Sequence, residues 1–218
     1  MRLSFLLFVP AFTLFARAGE APLDLKETAI TFTGHATLHD FHGAVQDIQG
    51  SAQVSSSEPN LVTSAVLDIG AARLTTFQDT RDRNMRNWLH VEANPQIDFR
   101  LNRVACSSGD PAQATSAQPA LFNVRGDFTL NHATRPLTAQ VKGWRDGPHL
   151  VIDGATTIDT TQYGLPIISQ FLLTVDKNVD VKFHLVFDLP PTRGARAANF
   201  STARRSRRAG ACRCRGDR

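Results

Sequence analysis

Apolar and polar side chains alternate with period two in eight successive segments between residues 28 and 189. The pattern is cleanest in the first segment, residues 28–40, and in the last, residues 178–189. Such alternation is typical of strands that bury one face. Turn signals such as the Asp-Gly-Pro of residues 146–148 separate the segments, and no regular exchange of helices and strands appears. The sequence therefore predicts an all-β antiparallel fold, closed either as an eight-stranded barrel or as a two-layer sandwich.

One stretch, residues 75–101, interrupts the alternation between the third and fourth predicted strands. Met85, Trp88 and Leu89 lie at the spacing of one face of a helix, and Pro95 ends that helix or opens the next strand. A short amphipathic helix is therefore predicted here. In a barrel it lies over one mouth, either as a plug that seals the core or as a lid over a ligand entry.

The two ends of the chain differ in composition from the part between them. Residues 1–18 combine Arg2 with a mostly apolar run and small residues at positions 16 and 18, which predicts a signal peptide and export to the periplasm. After cleavage no stable membrane span is expected, because the apolar run is short. Residues 193–218 hold nine Arg and one Asp, which predicts a disordered tail. The tail is either a solvated extension or an arm for an anionic surface.

The predicted domain, residues 19–192, is acidic even though the whole chain has a net charge of +4. Its net charge is −6, because the tail supplies +8 and Arg2 and Arg17 together supply +2. A nucleic-acid partner is therefore not expected. The three cysteines show no four-ligand metal spacing and no disulfide framework, so the domain is expected to derive its stability from packing.

Three blocks of sequence, in this order, resemble the YceI-like family of polyisoprenoid-binding periplasmic proteins. They are TFTGHATLHDFHG (31–43), RDRNMRNWLHVEANPQIDF (81–99) and VRGDFTLNHATRPLTAQV (124–141). The resemblance covers about residues 25–190. The chain departs from the family pattern in having Tyr163 where Phe is common, and Asn131-His132 in a turn where Gly is common. The arginine-rich tail is foreign to that pattern.

The resemblance implies a lipocalin-like, eight-stranded barrel with one short helix between strands 3 and 4. It also implies an exported binding protein that carries or sequesters an isoprenoid or a similar amphiphilic lipid, such as one with a quinone-like tail, in its apolar interior. The residues predicted to line that interior are Phe32, Leu38, Leu67, Ile69, Trp88, Phe99, Leu101, Phe128, Leu130, Phe183 and Leu185. The same residues also suit a filled core in a structural or stress-related barrel, and this alternative stays open. Whether two barrels pair as a homodimer is also left open.

A second alternative rests on His35, His39 and His42, which lie within eight residues. Three converging imidazoles would support a metal- or heme-associated redox accessory protein. On strand parity, however, His35 and His39 point away from the apolar face. The adjacent pair Arg81 and Asp82 has two interpretations: a lipid headgroup contact, or a local ion pair that orders the loop.

Catalysis is not expected, because the sequence contains no nucleophile–base motif and no phosphate loop. The chain has one Tyr and two Trp, too few for the aromatic girdles of an outer-membrane barrel. The apolar face of the strands is therefore expected to point inward, and a hydrophobic small molecule is the expected partner.

Overall fold

The computed structural model describes residues 20–55, 62–170 and 173–189. The predicted signal peptide and arginine-rich tail lie outside these residues. The described part contains one α-helix, α1 (Asp79–Trp88), and two 3-10 helices, Ala71–Arg73 and Thr160–Tyr163. Its strands are β1 (Glu20–Ala36), β2 (Phe41–Val45), β3 (Ile48–Ser55), β4 (Val62–Gly70), β5 (Leu74–Thr75), β6 (Gln96–Ser108), β7 (Ala120–Leu130), β8 (Ala133–Asp146), β9 (His149–Asp159), β10 (Ser169–Gln170) and β11 (Leu173–Asp188).

The strands form a closed antiparallel barrel, because β1 pairs along both of its edges. One edge of β1 pairs with β11, and the other pairs with β3 near its start and with β2 near its end. The chain then continues around the wall through β4, β6, β7, β8 and β9 back to β11. Strands β2 and β3 together occupy one of eight positions. The predicted eight-stranded barrel with one helix between its third and fourth strands is therefore confirmed.

Several strands begin or end at residues other than those that the alternation of side chains predicted. Strand β1 stops at Ala36 instead of Asp40, and Phe41 of β2 returns to pair opposite Gly34. Strand β11 begins at Leu173, ahead of the predicted segment of residues 178–189. Alternation is a local property of the chain, whereas the end of a strand is set by where its neighbour stops pairing.

The β7–β8 hairpin explains one departure from the family pattern. Its two-residue turn consists of Asn131 and His132, whose φ angles are 48° and 62°. A two-residue turn with positive φ at both positions matches the twist of the strands it joins. Asn tolerates this left-handed conformation better than most residues, so the hairpin forms without the glycine that is common in the family.

Some phenylalanine rings lie flat against glycines of neighbouring strands. A Cβ atom on Gly154 would lie 2.2 Å from Cζ of Phe183, and one on Gly43 would lie 2.1 Å from Cζ of Phe32. These glycines therefore leave room for the rings close to the barrel wall.

Helix α1 lies over one end of the barrel and is anchored by a buried carboxylate. Asp82 is 5% exposed. Its Oδ1 accepts hydrogen bonds from the backbone N–H and the hydroxyl of Thr76, both at 2.6 Å, and its Oδ2 accepts one from the Thr75 hydroxyl at 2.7 Å. Burial alone raises the pKa of this carboxyl, but the hydrogen bonds from Thr76 and Thr75 outweigh it and lower the pKa below its ordinary value.

Candidate ligand-binding cavity

A cavity of about 480 Å³ occupies the interior of the barrel. This volume lies in the range of sites that bind one small molecule. Most of the side chains that line it are aliphatic or aromatic. The polar residues among them are His39, Thr76, Arg81, Asn84, Thr156, Thr160 and Asp176. An interior of this kind has little capacity for directed hydrogen bonds and suits an apolar chain.

Ten of the eleven residues predicted to line the interior do so. They come from five barrel strands and from helix α1. They are Phe32, Leu67, Ile69, Trp88, Phe99, Leu101, Phe128, Leu130, Phe183 and Leu185. The structure thus brings these side chains to one cavity, and their role in binding a ligand remains a prediction.

Leu38 is the exception, and its predicted inward orientation is wrong. It lies in the turn between β1 and β2, and its side chain is 73% exposed. The alternation that placed Leu38 in register with Phe32 has no structural meaning beyond Ala36, because the chain has already left the sheet. The neighbouring residues His39 and Phe41 line the cavity instead.

Several further lining residues were not identified from the sequence. The clearest signal lies in β9, where Leu150, Ile152, Thr156 and Ile158 recur with period two and all face the cavity. Val62 also lines the cavity. A register shift between β3 and β4 places Val62 opposite Val54, so its side chain does not follow the alternation of the rest of β4. No local pattern in the sequence predicts this register shift.

The cavity is closed at the end of the barrel remote from α1. Leu150 and Phe187 contribute to its lining there, and they are only 2% and 1% exposed. They belong to an apolar cluster with Leu23 and Val54, which are 2% and 1% exposed. This cluster forms the floor of the cavity.

The mouth of the cavity lies at the end covered by α1. The lining residues His39 and Asn84 are exposed, and Ile167 is 51% exposed, so the cavity reaches solvent here. The indole N–H of Trp88 donates a hydrogen bond of 2.8 Å to the carbonyl of Pro166. This bond joins α1 to the segment 164–168 across the mouth. The helix therefore lies over the mouth, a position that fits both a plug and a lid.

A second contact holds the chain after α1 to the same end of the barrel. The side-chain oxygen of Asn131 accepts a hydrogen bond of 2.7 Å from the Asn94 amide. The amide group of Asn131 donates one of 2.9 Å to the Tyr163 carbonyl. The Tyr163 ring is buried and meets Phe128 edge-on, with 5.6 Å between ring centroids. The turn at Asn131 thus connects the helical segment, the β7–β8 hairpin and the second 3-10 helix.

The side chains of Arg81 and Asp82 have different surroundings although the two residues are neighbours in sequence. The Asp82 carboxylate is directed at Thr75 and Thr76, as described above. Arg81 is partly buried and lines the cavity. No Arg81–Asp82 ion pair occurs in the described structure. The interpretation of these two residues as a local ion pair with each other is therefore wrong.

The three histidines near the end of β1 do not converge. The two ring nitrogens of His35 contact Asp40 at 3.0 Å and Asp180 at 3.1 Å. The hydrogen bonds to Asp180 and Asp40 raise the pKa of His35, which favours a cationic ring that cannot ligate metal. His42 contacts the Thr33 hydroxyl at 3.0 Å. Within residues 20–55, 62–170 and 173–189 no group of three His, Cys, Asp or Glu side chains is arranged to hold a metal ion.

The YceI-like domain family model matches residues 22–187, which are nearly all of the described barrel. This chain belongs to the YceI-like family. The match confirms the resemblance that the three sequence blocks indicated. A sequence search among curated proteins finds no match.

Solved structures of YceI-like and related proteins share the fold. BcnA of Burkholderia cenocepacia superposes with a TM-score of 0.62 at 17% identity, covering 75% of this chain and 99% of its own. A polyisoprenoid binding domain from Saccharophagus degradans, implicated in plant cell wall breakdown, has a TM-score of 0.58 at 15% identity, with 78% and 98% covered. The YceI protein of Campylobacter jejuni has a TM-score of 0.50 at 11% identity, with 68% and 86% covered. At these identities the likeness shows the fold alone.

Among the residues that the structure describes, no helix is both long and apolar enough to cross a membrane. Helix α1, at ten residues, is far shorter than the twenty or so that a span requires.

Proposed function

We propose that this protein carries or sequesters an isoprenoid or a similar amphiphilic lipid in the interior of its barrel. The observation that carries the proposal is the apolar cavity of about 480 Å³, closed at its floor and reaching solvent beside α1. The polyisoprenoid-binding domain among the structural relatives supports the same class of ligand. A barrel with a filled core, the structural alternative, accounts less well for an interior of this volume.

The energetics suit a long apolar chain. Each buried methylene-sized unit contributes about 0.8 kcal/mol, so an apolar tube binds a prenyl chain without many polar contacts. Loss of translational and rotational freedom offsets part of that gain. This balance explains why no sharp polar motif marks the site, and it supports a binding protein in which the ligand is held and not turned over.

We further propose that residues 1–18 are a signal peptide, that residues 19–192 are the working domain in the periplasm, and that residues 193–218 are a separate tail. The support lies in the composition of the two ends of the chain. An exported carrier would have access to lipids of the bacterial envelope.

The proposal is tested by extracting the purified native protein with chloroform and methanol and identifying the extract by mass spectrometry. We expect an amphiphile in a ratio close to one per barrel, or uptake of an added prenyl lipid to that ratio after delipidation. Recovery of no amphiphile, together with no uptake, would contradict carriage. A stoichiometric metal ion in the same sample would instead favour the redox alternative.

Replacing Trp88 by Ala should speed the release of bound lipid about tenfold while lowering the melting temperature by only a few degrees. The substitution removes both the indole ring at the mouth and the hydrogen bond to Pro166. Trp88→Phe keeps an aromatic ring and loses only the hydrogen bond, so we expect an intermediate rate. Release is measured by transfer of a fluorescent prenyl lipid to acceptor vesicles.

Trp144→Ala is the matched control, because Trp144 is partly buried at the other end of the barrel, in the cluster of Phe122 and Val141. It should leave the release rate unchanged. If Trp88→Ala lowers the melting temperature strongly and leaves release unchanged, α1 is a plug and not a lid.

A further inference from the structure

Arg81 is a cation placed at the mouth of an otherwise apolar cavity. Its side chain is partly buried and contributes to the cavity lining. The guanidinium carbon lies 5.5 Å from the ring centroid of Phe41, which also lines the cavity. One nitrogen, Nη2, donates a hydrogen bond of 2.6 Å to the side-chain oxygen of Gln78. The ring and the amide hold the guanidinium in one place without neutralising it.

No carboxylate neutralises Arg81 within the described residues. No Asp or Glu oxygen there lies within 4.0 Å of its nitrogens, whereas Arg73 forms an ion pair with Asp47 at 3.4 Å. Asp82, the nearest acid in sequence, is committed to Thr75 and Thr76. Removing a guanidinium partly from water costs free energy unless an anion pairs with it.

We propose that Arg81 binds the anionic headgroup, a phosphate or a carboxylate, of the amphiphile whose apolar chain fills the barrel. The proposal rests on the lipid-binding function argued above and assigns the chemistry of the end of the ligand that faces solvent. The planar guanidinium presents paired N–H donors that match the oxygens of either anion. The apolar chain then extends from the mouth toward the floor formed by Leu150 and Phe187.

The other polar residues of the cavity fit this arrangement. His39 and Asn84 are exposed and line the same mouth, where their side chains can donate further hydrogen bonds. Asp176 also contributes to the lining, but its Oδ1 accepts a hydrogen bond of 2.8 Å from the backbone N–H of Asn178. Arg81 is the only Lys or Arg among the described lining residues, so it is the strongest attraction for an anion there.

The test compares two ligands that differ only in the headgroup, geranylgeranyl monophosphate and geranylgeraniol, on the delipidated full chain. Affinities are measured by titration calorimetry for the native protein, Arg81→Gln, Arg81→Lys and Arg83→Gln. We expect Arg81→Gln to weaken binding of the phosphate at least tenfold and to leave the alcohol within twofold. Arg81→Lys keeps the charge but loses the planar fork, so its loss should be smaller.

Arg83→Gln is the matched control, because Arg83 is an exposed residue of the same helix and its replacement changes the net charge equally. It should leave both affinities unchanged. Inorganic phosphate, added as a competitor, should not displace the prenyl phosphate at the same concentration, since the apolar chain supplies most of the affinity. Displacement at that concentration would show a site for free phosphate and overturn the assignment to a lipid headgroup.

Two results separate this inference from the proposed function. If both prenyl ligands bind the native protein and Arg81→Gln weakens neither, the headgroup assignment is overturned and lipid carriage stands. If neither ligand binds the native protein, the carrier function fails, and the assignment to Arg81 fails with it.

Discussion

Replacing Ala139 by Trp should reduce the affinity for a prenyl lipid by at least about tenfold while leaving the fold intact. Ala139 lies on β8 opposite Val124 of β7, and both side chains line the cavity. An indole in this position occupies space that the ligand chain needs. Because the cavity of about 480 Å³ can receive the new ring, the free energy of unfolding should change by less than the roughly 1–3 kcal/mol typical of overpacking a filled core. Titration with a fluorescent prenyl lipid and thermal unfolding measure the two effects.

The matched control is Ala155→Trp on the neighbouring strand β9. Ala155 pairs with Gln140 of β8, one residue after Ala139, and its side chain is exposed on the outer face of the barrel. The same indole there should change neither affinity nor stability appreciably. If Ala139→Trp binds lipid as the native protein does, the ligand lies outside the cavity. A loss of several kcal/mol in stability would instead favour a filled core.

Replacing Asp82 by Ala should lower the free energy of unfolding by about 3 kcal/mol, which corresponds to a fall in melting temperature of roughly 6–12 °C. The substitution leaves the backbone N–H and hydroxyl of Thr76 and the hydroxyl of Thr75 without their common acceptor. These donors are largely shielded from water, since Thr76 is 6% exposed. Chemical denaturation followed by circular dichroism measures the change.

Asp79→Ala tests whether the effect belongs to the buried carboxylate or to any acid in the first turn of α1. Asp79 is exposed in that same turn, and its replacement should change the free energy of unfolding by less than about 0.5 kcal/mol. Equal effects of the two substitutions would contradict the anchoring role of Asp82.

The pH dependence of Asp82→Asn provides a second check on the same contact. The folded-state pKa of Asp82 lies below its ordinary value, so the charged carboxylate stabilises the fold at every pH above the unfolded-state pKa of about 3.9. That contribution is lost as the pH falls from there through the lower folded-state pKa. The difference in unfolding free energy between the native protein and Asp82→Asn should therefore shrink below about pH 4. A difference that grows on acidification would contradict this direction.

Local patterns in the sequence predicted many of the side chains that line the cavity. The inward orientation of Phe32, Phe99 and Phe183 followed from strict alternation along single strands. The predicted inward orientation of Leu38 was wrong because Leu38 lies beyond the end of β1. Val62 was missed because of a register shift between two strands, and the segment 166–168 because an apolar loop at a mouth has no periodicity. Leu150 and Ile152 follow the same alternation along β9 and line the cavity.

The sequence by itself determined that this chain is an all-β antiparallel protein with one short helix between its third and fourth strands, and its resemblance to the YceI-like family implied that the strands close into a barrel. It did so because the period of apolar residues, the turn residues and the order of the family blocks are all local features of the chain. Only the tertiary structure decided that the interior is a cavity, because this depends on how rings such as Phe183 lie against Gly154 across strands. It also decided that Asp82 anchors the helix while Arg81 faces the mouth, because neighbours in sequence acquire different environments only when the barrel closes around them.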